Sequence, residues 1–500
     1  MKLNYKRTIL VGFAFFLISA FWQAYDAIVP LILTNHFGLL QTVSGAVMSL
    51  DNVLAVFMLP IFGALSDKVM TKFGKRTPFI LIGTIAAVAL FIGLGIIDNM
   101  QLPAVVEGTD IPALYEQAVE YREAAYELLA EGRHTGNSAI VAEAEGMLKT
   151  AEEMFESVRA ATFAITAANI LPLVLFIGCL LLVLIAMATF RSPAVALMPD
   201  VTVKPLRSKG NAVINLMGTA GGIIVLLLGM VFKTSKNHYM EYTSYILAVC
   251  LLMLVGLIIF LQTVKERKWA REAELEAQRL ELDKPETSAA VEEKRRLTRP
   301  ELISLMLILA SVALWFIGYN SITSKYSVYA SNILGFDYNL TLIVAQGAAI
   351  VSYIPVGIIA SKIGRKKSIL AGIIMLGTAF FIGNFITANS PELLMYPIFA
   401  LAGIGWATIN VNSFPMVVEL AKGGDVGKYT GFYYTASMAA QIVAPIFSGF
   451  LYDRIGMRIV FFAFGTVFVA LSFVTMLFVR HGDSKAQKVS ALESLGGADD

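Results

Sequence analysis

Apolar residues in this chain do not alternate with polar ones, and they do not recur every third or fourth position. They come in unbroken runs of about twenty or more residues, separated by short polar stretches. A run of that length crosses the hydrocarbon core of a bilayer as an α-helix, because a helix pairs all of its backbone polar groups internally. The pattern predicts twelve crossings, near 8–34, 41–65, 78–98, 165–199, 210–232, 243–264, 301–324, 338–360, 368–388, 392–419, 429–451 and 457–479. The first run follows Lys2, Lys6 and Arg7 as a signal peptide would. It is too long for an h-region and lacks a small-residue cleavage pattern, so it is read as a retained span.

Two polar stretches interrupt the rhythm. Residues 99–163 hold twelve acidic residues against Arg122, Arg133, Lys149 and Arg159, with apolar positions at helical spacing from Leu114 to Leu129 and from Ala139 to Phe155. They predict an external helical hairpin, read first as a solvated cap and second as a lid or partner surface. Residues 265–300 alternate Glu with Lys and Arg, the pattern of a solvated helix with i,i+4 pairs, and predict a cytoplasmic linker. The organisation is then a first six-helix bundle over 1–264, the linker, a second bundle over 301–480, and a cytoplasmic tail over 481–500.

Loop charge sets the expected orientation. Lys68, Lys72, Lys75 and Arg76 share a side with Lys204, Arg207 and Lys209, with Lys362, Arg365, Lys366 and Lys367, and with Lys422 and Lys428, whereas the loops 35–40 and 389–391 carry no Lys or Arg. Basic loops stay preferentially in the cytoplasm, which places both termini there and the chain in the plasma membrane.

Composition narrows the classes further. Hydrophobic residues make up 57% and charged residues 15% of the 500, and mean hydropathy is +0.70, which excludes a soluble enzyme. A net charge of +2 offers no basic excess for nucleic acid. Cys179 and Cys250 both lie in apolar runs, and His36, His134, His238 and His481 are scattered, so neither a disulfide framework nor a metal centre is expected. No cofactor is called for, and a monomer is expected.

The two halves repeat. Pro60, Gly63, Asp67, Gly74, Lys75 and Arg76 after the second run correspond to Pro355, Gly357, Ser361, Gly364, Arg365 and Lys366 after the eighth, and Pro193 with Asp200 corresponds to Pro415 with Glu419. The expected fold is therefore an all-α membrane protein of twelve transmembrane helices in two six-helix pseudo-symmetric halves, a plan that alternating-access carriers share. Glycines at 63 and 74 permit close helix approach. Asp67 can hold basic side chains at the neighbouring helix end, Asp200 is a counter-charge for Lys75 or Arg76, and Glu419 is the second half's partner for Arg365. These eight are read as gating residues that do not touch substrate.

The stretch Pro60-Ile-Phe-Gly63-Ala-Leu-Ser-Asp67, with Phe73-Gly74-Lys75-Arg76-Thr77-Pro78-Phe79-Ile80, resembles the signature after span two in the sucrose–proton symporters of the major facilitator superfamily, a glycoside–cation symporter branch. Pro193-Ala-Val195-Ala-Leu-Met-Pro-Asp200 and Arg207-Ser-Lys-Gly-Asn211-Ala212 are similar to its span-four and span-five motifs. The resemblance implies uptake of a disaccharide or related glycoside with a proton. Plant members carry an arginine inside the span-four motif where this chain has Val195; Arg191 lies one turn earlier on a similar face.

Independently of that resemblance, ionisable residues inside a membrane are functional candidates, since each costs about 2.5–3.5 kcal/mol or more unless it faces a polar cavity. Asp26 shares a face with Ser19, Trp22, Gln23 and Pro30, and Asp51 lies within the second run. A carboxyl that alternates between dry and wet surroundings takes up and releases a proton, so Asp26 and Asp51 are expected to couple transport, with Arg191 as electrostatic partner. The alternatives are a structural carboxylate and a snorkelling arginine paired with Asp200. The coupling ion is expected to be H+, with Na+ as the alternative. Sugars need aromatic faces and amides, and the candidates are Trp22, Gln23, Asn211, Asn215, Trp315, Tyr319, Trp406, Asn410, Tyr434 and Gln441. A drug–proton antiporter on the same scaffold is the main rival reading, with a membrane enzyme and a transport-derived sensor behind it.

Overall fold

The computed structural model describes residues 3–279, 298–420 and 426–481. The remainder of the linker (280–297), Lys422 and the tail beyond 481 lie outside the described residues.

In the first half, α1 (Tyr5–Leu31) continues into a π-helical turn at Ile32–His36 and is followed by α2 (Gln41–Met48), α3 (Leu50–Lys68) and α4 (Thr77–Val106). The hairpin is α5 (Ile111–Thr135) and α6 (Ser138–Ala168), and the half is completed by α7 (Leu171–Asp200), α8 (Arg207–Phe232) and α9 (Thr243–Thr263). The linker begins with α10 (Glu266–Arg279). The second half comprises α11 (Arg299–Thr323), the short α12 (Tyr326–Val328) running into a second π-helical turn at Tyr329–Leu334, then α13 (Tyr338–Ile363), α14 (Arg365–Gly383), α15 (Met395–Val418), α16 (Val426–Ile455) and α17 (Met457–Leu477). Among the described residues, eleven helical segments are long and apolar enough to cross a membrane. The 26-residue α13 lies between two of them in sequence and completes the two-half plan.

Several boundaries differ from the expected ones, each for a local reason. The second crossing is one apolar run in sequence but breaks at Ser49, whose hydroxyl bonds the Ala46 carbonyl at 2.8 Å. The third extends to Val106, so Asp98 lies inside the helix. The fourth begins at Leu171 because 165–168 finish α6. At the hairpin tip Gly136 takes φ +65°, a left-handed cap, and Asn137 caps α6 by accepting from the Ala139 amide.

Within each half the helices pack in pairs, α1 on α8 and α4 on α7 in the first, α13 and α14 on α15 and α11 on α17 in the second. The halves meet where α2 crosses α16 and α8 crosses α13. The first crossing is intimate: a Cβ on Gly45 would lie 2.1 Å from the Pro445 carbonyl oxygen, and one on Gly449 would lie 2.5 Å from that of Gln41. Both crossings belong to the end of the molecule that carries the hairpin, here the hairpin end. The opposite, basic end carries the clustered Lys and Arg.

The described part of the linker, α10, is a largely exposed helix with an i,i+4 pair between Lys268 and Glu272 at 3.9 Å, as expected, but one of its faces is docked. Trp269 is buried, with the Arg7 guanidinium over its ring at 5.3 Å, and Arg7 pairs with Glu272 at 2.5 Å. Glu266 is 3% exposed and accepts the backbone N–H groups of Lys75, Arg76 and Thr77 at 2.6, 2.9 and 2.8 Å. Its carboxylate thus caps the positive N-terminus of α4. The polar composition accounts for the exposed faces of α10, and the helix turns its two buried residues, Glu266 and Trp269, onto the first bundle.

A candidate substrate cavity between the halves

A cavity of about 580 Å³ lies at mid-depth between the halves, lined by α1, α7 and α8 on one side and by α11, α13 and α15 on the other. That volume fits a small solute. The first half supplies Trp22, Gln23, Asp26, Arg191 and Asn215; the second supplies Tyr319, Gln346, Tyr353 and Trp406.

The i, i+3, i+4 spacing of α1 carries Ser19, Trp22, Gln23 and Asp26 onto the cavity wall together. Asp26 is exposed and lines the cavity. The Arg191 guanidinium sits over the Trp22 ring at 5.7 Å, an approach that holds a cation in a low-dielectric setting. Val195, one turn further along α7, also lines the cavity, so Arg191 reaches the same space that a side chain at 195 would enter.

Asp51 does not line the cavity. It is half-buried behind the wall, accepts a hydrogen bond from the Asn52 amide at 2.7 Å, and interacts electrostatically with Arg191 and with Asp26. The two acids and the arginine therefore form one charge cluster, with Asp26 lining the cavity and Asp51 beside it outside the lining.

Across the cavity, Tyr319 and Trp406 stack face to face, with ring centroids 3.6 Å apart and planes 6° from parallel. Gln346 donates to the Gln23 side-chain oxygen at 2.7 Å and bridges the halves. Trp22 Nε1 and Asn215 Nδ2 are buried without a hydrogen-bond partner among the described residues, so two donors on the first half's wall are uncommitted. Aromatic faces, amides, a carboxylate and a guanidinium converging on one water-accessible space can hold a polyhydroxylated solute.

Five candidates lie elsewhere. Trp315 is fully buried on the stripe of α11 that also buries Ile308, Val312 and Ile322, where a large ring fills the bundle core. Gln441 is spent on the Ser437 carbonyl at 3.4 Å, and Tyr434 packs among Tyr433 and Phe414. Asn211 sits one turn nearer the basic end than Asn215, and Asn410 one turn beyond Trp406; neither lines the cavity. Gln346 and Tyr353 were not singled out from sequence, since isolated polar residues in an apolar run carry no spacing signal of their own.

At the basic end Arg76, 5% exposed, gathers the motif residues. It pairs with Asp67 at 2.5 Å and Asp200 at 2.8 Å, and it also donates to the Ser66 hydroxyl. Lys75 contributes its backbone N–H to Glu266 and not its charge to Asp200. Gly74 has φ +127°, and the Glu266 carboxylate occupies the space a Cβ would need, at 2.2–2.6 Å. Gly63 lets Ser192 approach, its virtual Cβ lying 2.9 Å from that hydroxyl. The second half repeats the device with Arg365 and Glu419 at 2.5 Å. No cluster of three or more His, Cys, Asp or Glu side chains able to hold a metal ion occurs among the described residues.

Two sequence families match the chain: one described as Major Facilitator Superfamily over residues 158–352 and 342–495, and one described as MFS/sugar transport protein over residues 10–102. A curated relative from Metarhizium rileyi, the MFS-type transporter ppzB, is 29% identical over 115 residues, 23% of each chain. An uncharacterized MFS-type transporter from Methanocaldococcus jannaschii, MJ1317, is 30% identical over 131 residues, 25% of this chain and 30% of its own. The aligned part thus spans about a quarter of the curated relatives. In fold, the chain is similar to the inward-open xylose transporter XylE from E. coli (TM-score 0.59, 13% identity, 98% of this chain and 99% of that one). It is also similar to the nucleoside transporter NupG (TM-score 0.55, 12% identity, 95% of this chain and all of that one).

Proposed function

Starting from the fact that the chain belongs to the Major Facilitator Superfamily and is a multi-pass membrane transporter, not an enzyme, we propose that it takes up a disaccharide or related glycoside by proton symport. The observation that carries this reading is the pairing, on opposite walls of one cavity, of the Asp26–Arg191 cluster with the Tyr319–Trp406 stack. The names of two fold neighbours, a xylose transporter and a D-xylose-proton symporter, agree with a sugar at the level of the fold.

In this reading the basic end is cytoplasmic and the hairpin end external, by the positive-inside distribution of Lys and Arg, and the protein works as a monomer in the plasma membrane. The halves are joined at the hairpin end, so the cavity faces the cytoplasm. Asp26 takes up a proton when the cavity faces outward, which lifts the cost of bringing a charged carboxylate into a closing, dehydrating site. Sugar then stacks on Trp406 and Tyr319 and engages the amides of Gln23, Gln346 and Asn215. After reorientation the proton leaves to the cytoplasm, and Asp51 and Arg191 set how readily it does. A driving force of about 150 mV is worth roughly 3.5 kcal/mol per proton, enough for accumulation of about a few hundredfold at one-to-one coupling.

The test is uptake into proteoliposomes over a panel of mono- and disaccharides, driven first by a pH gradient and then by a sodium gradient. Accumulation with the pH gradient alone is expected. Accumulation only with sodium replaces the coupling ion, and no sugar flux together with proton-driven dye efflux replaces the reading by drug antiport.

A further inference from the structure

Each half ends its first membrane helix in the same unusual way. In the first half the π-helical turn carries Thr34 and Asn35 and closes on Gly38 at φ +66°; in the second it carries Ser331 and Asn332 and closes on Gly335 at φ +72°. The two asparagines are thus repeat-related, and they meet at the seam. Asn332 Nδ2 donates to Asn35 Oδ1 at 2.7 Å, and Asn35 Nδ2 faces Asn332 Oδ1 at 3.4 Å, a reciprocal amide pair between the halves.

The hairpin is rooted in its own half beside this pair. Arg159 donates to the Gly38 carbonyl at 2.9 Å, Thr166 to that of Phe37 at 3.0 Å, and Tyr115 stacks on His238 at 3.8 Å. It also reaches over the seam. Arg122, 9% exposed with Phe155 of α6 over its guanidinium at 4.8 Å, donates to the Asn332 backbone carbonyl at 2.7 Å. That carbonyl belongs to a π-helical turn, whose irregular ladder leaves an acceptor for it. Further out, the apolar patch of Tyr126 and Leu129 packs against Ala388, in the loop after α14.

We propose that α5–α6 is a strap over the external seam, with Arg122 as its clasp: the halves separate at that end only when Arg122 releases Asn332. The hairpin is one continuous insertion in the first half, so it moves with that half. Any opening at the hairpin end therefore has to break its contacts with the second half. These include charge interactions of Glu152 with Arg458 and of Arg159 with Asp453, and the hydrogen bond of Arg122 is the charge-assisted one shielded from water by Phe155. The strap favours the conformation described here and makes outward opening the step that Arg122 controls. Arg122 touches no substrate in this scheme; it is a positioning residue. The inference rests on alternating access but on no particular sugar or ion.

The experiment reads seam opening directly. Ser327 lines the cavity beneath the seam and is 3% exposed. With Cys179 and Cys250 replaced by serine, Ser327→Cys is labelled in right-side-out vesicles by a membrane-impermeant maleimide added outside. Arg122→Ala is expected to raise the labelling rate about tenfold, the loss of one charge-assisted hydrogen bond, with Arg122→Lys in between. Ala388→Arg, which pushes the loop off the apolar patch, is expected to raise it as well and stands in should Arg122→Ala fail to fold. Unchanged labelling in folded variants overturns the strap. Because labelling needs no substrate, failure of the sugar reading leaves the result interpretable, and a strap that fails leaves sugar uptake unaffected.

Discussion

Asp26 is an acid exposed to the cavity within a membrane helix, beside Asp51 and Arg191, and that placement fixes what its substitution should do. Removing the titratable group while keeping its shape, as in Asp26→Asn, is expected to abolish proton-driven accumulation yet leave counterflow exchange, measured in proteoliposomes with and without a pH gradient. Undiminished accumulation removes Asp26 from the coupling scheme. On the opposite wall, Trp406→Ala exposes one face of Tyr319 and deletes the stacking platform, so substrate affinity is expected to fall about tenfold, from the 0.5–1.5 kcal/mol of an aromatic contact plus lost buried area. A substrate Kd from tryptophan fluorescence or isothermal titration checks it; unchanged affinity moves the sugar elsewhere in the cavity. At this scale, legibility followed periodicity. Trp22, Gln23 and Asp26 line one cavity wall together because helical spacing puts them on one face, whereas Trp315 turns into the bundle core, because spacing cannot tell which face of a buried helix looks into a cavity and which into the core.

The twelve apolar runs were readable because the bilayer imposes length and apolarity on every crossing, whereas the elements that hold the ends together are polar and local. The docking of α10 is one such case: a single carboxylate, Glu266, satisfies three amides at the start of α4, a role that charge alternation along the linker conceals. Glu266→Ala leaves those buried donors unpaired and is expected to cost about 1–3 kcal/mol, visible as a lower unfolding midpoint in detergent. No change in the midpoint shows that water reaches the α4 terminus in its place. The hairpin offers a pH signature. Burial, followed by the nearby His36, pushes His238 down to about 3; the Asn332 side chain opposes this, Arg122 adds a smaller push in the same direction as burial, and Tyr115 and Tyr239 face it without charge. Once undocked, the imidazole returns to about 6.5. The undocked state therefore binds more protons between those values, and docking is fully present above about pH 6.5 and weakens as pH falls, by up to about tenfold per unit. Hydrogen exchange across 111–135 should accelerate on acidification in the native chain and not in His238→Phe; equal acceleration in both assigns the effect to other groups.

At the scale of the whole molecule the seam at the hairpin end is closed, and it is tight where α2 crosses α16. The carboxylate of Asp453, from the second half, accepts the Gln41 and Thr42 amides at 2.8 Å each, capping the first half's α2, and Lys325 donates to Ser44 at 2.5 Å one turn on. Thr234 and Tyr338 tie the α8–α13 crossing at 2.7 Å. Such packing tolerates no added volume: at Gly45 even one methyl group would overlap the Pro445 carbonyl. The overlap cannot relax by a side-chain rotation, because the obstructing atom is backbone. It can relax by rocking the halves apart at the hairpin end, which is a motion the alternating-access plan already contains. Gly45→Leu is therefore expected to unfold nothing within either half and to shift the population toward the outward-facing state, since a bulky residue penalises only the conformation in which the two backbones touch. In the proposed orientation, labelling of Ser327→Cys from outside should rise, substrate should still bind from outside, and net uptake should fall because return to the conformation closed at the hairpin end is blocked. If Gly45→Leu instead lowers labelling, or leaves both labelling and uptake as they were, the α2–α16 crossing does not open during the cycle, and the two halves exchange access by some motion other than separation at this seam.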